Sequence, residues 1–247
     1  PDFIKEFSVF LTTEQGLKNA TVWLACMWVK TVVSRAHYNG LIPRNPFAQF
    51  RITPNVKERE YLTEGEIRQL IEHEFSDATL VFTRDLFVFA CFTALSFADI
   101  RELTADEIMD VNGEKWIISK RHKTGVPFQV KLLDIPLQII GKYRPFQKDN
   151  SVFGEINYWS ICKKLKNVIR ECNINKQISF HCSRHTFGTL ALSKGMPIES
   201  VSRVLGHTNI KTTQIYAKIT TQKLGNDLTA FGNQLNWTFG NIKVAGI

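Results

Sequence analysis

Two glycines and a proline punctuate the stretch from Ser179 to Ala217 and restrict what it can fold into. Gly195 and Gly206 read as helix stops, because glycine takes the left-handed conformation at a helix C-terminus without steric cost, and Pro197 suits the first turn of a new helix. The punctuation predicts one helix over about 183–194, a short one over about 197–205 and a third ending near Tyr216. Phe187, Leu190 and Ala191 recur at helical spacing, which gives the first helix a core face and leaves Arg184 in its opening turn. A helix N-terminus favours phosphate through its free N–H groups and dipole, and an arginine there adds a fork that fits two phosphate oxygens. His181 and Arg184 form an H-x-x-R box, His207 closes a Leu-Gly-His, and Tyr216 follows nine residues later. Three of these side chains can bind or protonate a phosphate, and the fourth can attack one. Taken singly, each has a plainer reading: His181 as a helix cap, His207 as a turn residue, Tyr216 as a core residue of an amphipathic helix.

The net charge of +8 is unevenly spread along the 247 residues. Residues 1–57 carry a balance of +4, residues 58–157 one of −5 and residues 158–223 one of +9. Two basic blocks around an acidic one suggest a clamp on a polyanion, against the plainer alternative of solvated lysine faces. The length suffices for one large or two modest domains with cores of their own. Cys26, Cys91, Cys162, Cys172 and Cys182 are odd in number and contain no C-x-x-C, so they read as reduced thiols of a cytoplasmic protein. His181 and His185 have metal-compatible spacing, but no acidic or cysteine cluster completes a site, and neither metal nor cofactor is expected. No signal peptide is visible, and no apolar run approaches the roughly 18 residues of a membrane span. The first residue is Pro1 and no initiator methionine precedes it, which reads as a fragment of a longer protein whose upstream region the sequence leaves open.

From the N-terminus, Phe3, Phe7 and Phe10 fall on one face of a helix over residues 1–12. A second helix, from Leu17 to about Tyr38, carries Val22, Cys26, Val29 and Val33 inward, with Lys18, Lys30 and Arg35 outside. Gly40, Pro43 and Pro46 break the pattern, and a polar linker falls at about 52–60. Thr63 and Glu66 then make a capping box, and an apolar helix over about 79–95 reads as the central core element. Ser96 suits the N-cap of a short helix leading to Leu103. Residues 115–134 read as two strands around a turn at Thr124 and Gly125. Residues 158–172 form a basic helix with Ile161, Leu165, Val168 and Ile169 inward and Lys163, Lys164, Lys166 and Arg170 outward, and a last helical segment spans about 221–231.

The H-x-x-R box, the Leu-Gly-His and the tyrosine, in this order and spacing, resemble the tyrosine recombinase (phage integrase) family, over most of the chain. The resemblance implies a mainly α fold with a small antiparallel β-sheet, built as a helical core-DNA-binding domain over residues 1–55 and a catalytic domain with a C-terminal tail over 56–247. It implies that Tyr216 attacks a backbone phosphate, forms a 3′-phosphotyrosyl link and expels a 5′-hydroxyl. His181 would take the proton, Lys123 of the hairpin's Lys-Thr would act as general acid, and Arg184 and His207 would stabilise the charged phosphorus. Where most members have T-G-L-R, this chain has Thr93-Ala94-Leu95-Ser96, as some integrases of conjugative transposons do, and a serine cannot replace a cation. Arg121, two residues before Lys123 on what reads as the same strand face, is the nearest substitute, and Arg101 is the other. Lys18, Lys30, Arg35, Lys163, Lys164 and Lys166 are candidate DNA contacts. The implied partners are double-stranded DNA, further copies in a tetramer on paired sites, and accessory DNA-bending proteins in a bacterial cytoplasm. Two alternatives stay open: a catalytically silent DNA-binding relative, and a type IB topoisomerase-like enzyme that relaxes supercoils as a monomer.

Overall fold

A computed structural model describes residues 2–53, 60–122, 125–143, 146, 149–217 and 221–239, and the chain divides into two units, Pro1–Glu58 and Arg59–Ile247. In the first, helices α1 (Asp2–Thr13) and α2 (Asn19–Tyr38) enclose a small core of Ile4, Leu11, Val22, Cys26 and Phe47. Of the three phenylalanines of α1, Phe7 packs against this core. Ile4 and Leu11, two turns apart, meet α2, whereas Phe3 and Phe10 remain 60% and 46% exposed. Asn45 seats Phe47 by an Asx turn, accepting the Phe47 N–H at 2.9 Å while its amide donates to Ser34 Oγ at 2.9 Å. Lys30 does not stand free, since its ammonium donates to the Phe50 carbonyl at 2.7 Å; Lys18 and Arg35 are exposed.

The second unit opens as its local sequence dictates. Thr63 and Glu66 make the capping box of α3 (Glu64–Glu72). Asp77 caps α4 (Ala78–Thr93), which is apolar on nearly every side and buries Leu86, Phe87, Phe89 and Ala90 completely. This helix ends at Ala94 in the left-handed conformation (φ 56°), and Ser96 restarts the chain as the N-cap of α5 (Phe97–Arg101). Strands β1 (Ile108–Val111), β2 (Glu114–Lys120) and β3 (Pro127–Lys131) form an antiparallel sheet in that order, with Ile117 opposite both Ile108 and Val130. The additional strand β1 is joined to β2 through Asn112 and Gly113, both at positive φ, the signature of a tight hairpin turn.

Helix α6 (Asp134–Tyr143) and the basic helix α7 (Tyr158–Glu171) follow, then α8 (Cys182–Ser193), α9 (Ile198–Leu205), α10 (Lys211–Gln214) and α11 (Thr221–Phe239). Helix α4 packs against α3, α6, α7 and α8 in one core, and α8 and α9 close a smaller cluster of Ala94, Leu192, Val201 and Leu205. Helix α11 runs past the expected end at residue 231. The fold is mainly α with a small antiparallel sheet. Among the described residues no helix is long and apolar enough to cross a membrane.

Candidate active site at the end of α9

Helix α9 ends at Gly206, whose positive φ (66°) lets the chain turn back and leaves the carbonyls of Val204 and Leu205 without partners in the helix. Two guanidinium groups take them. Arg121 donates to the Val204 carbonyl and Arg184 to the Leu205 carbonyl, and Arg184 also donates to the carbonyl of Ala94 at the end of α4. Cations at helix C-termini complement the dipole there, so these arginines lock two helix ends while remaining charged. Burial, and after it the charge of Arg121, lowers the Arg184 pKa to about 10, which leaves it protonated at neutral pH.

Arg121 is 6% exposed and held from several sides. Its Nη1 lies 2.8 Å from Asp99 Oδ2, its guanidinium sits 4.0 Å over the Phe128 ring, and a Cβ at position 206 would come within 2.9 Å of its Nε. Only a glycine leaves that space. The same Asp99 oxygen accepts the Ser96 hydroxyl at 2.8 Å and the Ser96 N–H at 3.1 Å, while Oδ1 accepts the His122 N–H at 3.0 Å. Burial pushes the Asp99 carboxyl up, but the His122 N–H, Arg121 and Ser96 outweigh it and keep the group ionised. Arg121 therefore stands one carboxylate oxygen away from Ser96.

It does so from a place the strand pattern did not indicate. Strand β2 ends at Lys120, and Arg121 exchanges backbone bonds of 2.8 Å with Val126 and Gly125 as the hairpin closes, so the alternation argument does not extend to it. Lys123 lies outside the described residues. Arg101 is at the surface, paired with Glu102 at 2.8 Å.

His207 follows Gly206, and its Nδ1 is 2.9 Å from Thr213 Oγ1. Burial first, and then the positive charges of Arg184, Arg121 and His181, lower its pKa to about 4, so the imidazole is neutral at neutral pH. Because the folded value lies below the ordinary value of about 6.5, the unfolded chain binds the proton more tightly, and this contribution to stability is complete above about pH 6.5 and lost as the pH falls toward 4. Acid unfolding over that window should flatten in His207→Gln, and the His207 ring resonances should titrate well below those of a free histidine; titration near pH 6.5 would contradict the site's positive field.

Tyr216 lies against α8. Its ring is 5.3 Å from that of His185, which is 5.1 Å from His181, and it covers Gly188 so closely that a Cβ there would stand 2.7 Å from Tyr216 Cδ2. Arg184 senses Tyr216 electrostatically, since a phenolate there would raise its pKa. His181, Arg184, His207, Tyr216 and Arg121 thus converge on the facing ends of α8 and α9. Asp99, Gly188 and Thr213 were not singled out from the sequence as parts of this site. Asp99 was legible as the third residue after a serine N-cap, whereas Gly188 carries no local signal. Among the described residues no three His, Cys, Asp or Glu side chains gather as a metal site requires.

On α7, Lys163 and Lys166 are exposed and Lys164 is half-buried, within electrostatic reach of Asp77.

The matches to known proteins bear on this geometry. Residues 60–223 match the phage integrase family. A tyrosine recombinase of Thermosipho africanus (strain TCF52B) is 22% identical over 229 residues, 90% of this chain and 80% of that protein. XerA of Saccharolobus solfataricus is 31% identical over 127 residues, which make up 51% of this chain but 43% of its own. Among solved structures, the Tn1549 transposon integrase in complex with circular intermediate DNA superposes with a TM-score of 0.75 at 18% identity, over 91% of this chain and 83% of that one. The XerH recombinase bound to palindromic difH substrate gives 0.73 at 18% identity, over 93% and 72%. The fold is that of these integrase and recombinase structures. The chain belongs to the phage integrase family and is a tyrosine recombinase.

Proposed function

We propose that this chain is a site-specific DNA recombinase of a mobile element that cleaves and rejoins strands through a 3′-phosphotyrosyl intermediate. The observation that carries the reading is the pair of charged guanidiniums of Arg121 and Arg184 on consecutive carbonyls, with a neutral imidazole and a tyrosine beside them. Such a cluster suits a phosphate that gains negative charge during transfer, because preorganised donors in a partly buried site need no reorganisation at the moment of reaction.

The Tyr216 hydroxyl attacks phosphorus while its proton passes to His181, since a phenol of pKa about 10 needs a base at neutral pH. The P–O5′ bond breaks, and Lys123 protonates the departing oxygen to give a 5′-hydroxyl. Arg184, His207 and Arg121 bear the charge of the five-coordinate phosphorus. Attack by a 5′-hydroxyl on the phosphotyrosyl link reverses the steps, so the bond energy is conserved and neither ATP nor a metal enters the scheme. Arg121 takes the part of the cation that Ser96 lacks; its support is the shared Asp99 oxygen. Double-stranded DNA is the substrate, gripped mainly through phosphates by Lys18, Arg35, Lys163 and Lys166, and recombination proceeds on paired sites between copies of the chain, with accessory bending proteins. The similarity to the Tn1549 transposon integrase favours a mobile-element role.

The test is whether a nicked duplex, whose cut strand diffuses away after cleavage, traps a denaturant-resistant protein–DNA adduct without added metal or nucleotide. Binding with no adduct at all would instead identify a silent relative, and relaxation of a plasmid by the monomer would identify topoisomerase-like action. Gly188→Ala probes the seat of the tyrosine. Alanine is about 1 kcal/mol better than glycine inside a helix, so the fold should hold, while the displaced ring should slow cleavage. An unchanged rate in a single turnover would show that the close contact has no bearing on attack.

A further inference from the structure

On one exposed face of α7, the two lysines assigned above to DNA phosphates line up with a tryptophan and an arginine that the strand-transfer scheme leaves unused. Trp159, Lys163, Lys166 and Arg170 recur at intervals of four, three and four residues, which places them in one stripe along the helix. None of the three cations is ion-paired among the described residues. At its N-terminal end the stripe exchanges charge for a large flat ring. Trp159 is 78% exposed, an unusual state for an indole, and is held edge-on by Tyr158 at 5.6 Å. Tyr158 in turn meets Phe97 at 5.0 Å, and Phe97 meets Phe180 at 5.2 Å. Phe97 follows Ser96 and Phe180 precedes His181, so a ladder of rings connects the exposed indole to the edge of the active site.

We propose that Trp159 is a stacking platform for a base left unpaired next to the cleavage point. This rests on the reading of the chain as a DNA strand transferase. A polyanionic strand following Arg170, Lys166 and Lys163 arrives at Trp159 as it approaches the catalytic cluster. Inside an intact duplex every base has its faces covered by neighbours, so an indole has nothing to stack on. A strand whose end has just been freed by cleavage offers an uncovered base. Aromatic stacking of this kind is indifferent to sequence, because every base has a π-face, and truncating the ring typically weakens binding by about 5- to 150-fold per base, the equivalent of about 1–3 kcal/mol.

The experiment compares two fluorescent probes by anisotropy at fixed salt: a short duplex of arbitrary sequence, and the same duplex with a single-stranded gap. Trp159→Ala should bind the gapped probe about 5- to 150-fold more weakly and the intact one almost as wild type does, and Trp159→Phe should recover most of the loss. Because the side chain is exposed, unfolding midpoints should coincide, which separates lost stacking from lost structure. An equal loss on both probes would mean that the ring packs against a groove or backbone, and no loss on the gapped probe would mean no contact; either overturns the inference and leaves the strand-transfer reading intact. A wild-type protein that binds neither probe overturns both.

Discussion

Arg121→Ala should slow strand cleavage about 100- to 1000-fold, the cost of about 3–4 kcal/mol that follows from deleting one preorganised donor to developing charge. The residue also has a structural share. It forms a buried pair with Asp99 at 2.8 Å, and removing one partner of such a pair leaves an uncompensated charge at a typical cost of about 3–5 kcal/mol in stability. The two effects separate in three comparisons. Single-turnover rates measured well below the unfolding midpoint report chemistry alone. Arg121→Lys keeps the charge but not the fork that spans Asp99 and the Val204 carbonyl, so it should recover stability more fully than rate. Ser96→Arg in the Arg121→Ala background returns a cation beside Asp99 and should restore part of the rate. Arg101→Ala, at a surface pair, should leave the chemical step intact. Equal cleavage by wild type and Arg121→Ala would remove Arg121 from the mechanism and leave the position of Ser96 without a substitute in the described residues.

Tyr216→Phe should abolish covalent attachment to DNA altogether while binding persists. The substitution deletes one oxygen and keeps the ring with its packing over Gly188 and against His185, so the fold and the phosphate grip should persist. Adduct formed by the variant would transfer the role to another tyrosine. Tyr143 is poorly suited, because burial and the neighbouring Asp85 carboxylate push its hydroxyl far from ionisation. Tyr158 is on the ring ladder and would be the one to test.

Much of the fold was readable because its signals are local. The capping box at Thr63, the N-cap at Ser96, the glycine stop at Gly206 and the inward face of α7 depend on residues within a turn of one another, and each appears where its spacing indicates. Which side of α1 is buried was not legible from its three phenylalanines: Ile4 and Leu11 are buried and Phe7 packs beside them, while Phe3 and Phe10 stay exposed. Strand β1 escaped because it is only four residues long and mostly exposed, too short for a clear period, although the Asn112-Gly113 turn after it was a usable cue. The candidate site was legible as a set of residue types but not as a geometry. Arg121 is brought to Ser96 by Asp99, a contact between residues 22 apart, and the Gly188 seat for Tyr216 joins elements that no local pattern relates.

The central claim is that this chain breaks DNA by attack from Tyr216. Trapping wild-type protein on a nicked duplex, digesting the adduct and sequencing the peptide that carries the nucleotide tests it most directly. The account predicts a single modified peptide containing Tyr216, joined to a 3′-phosphate, with a free 5′-hydroxyl on the released strand. A peptide modified at any other residue, or a linkage to the 5′-end, would contradict it.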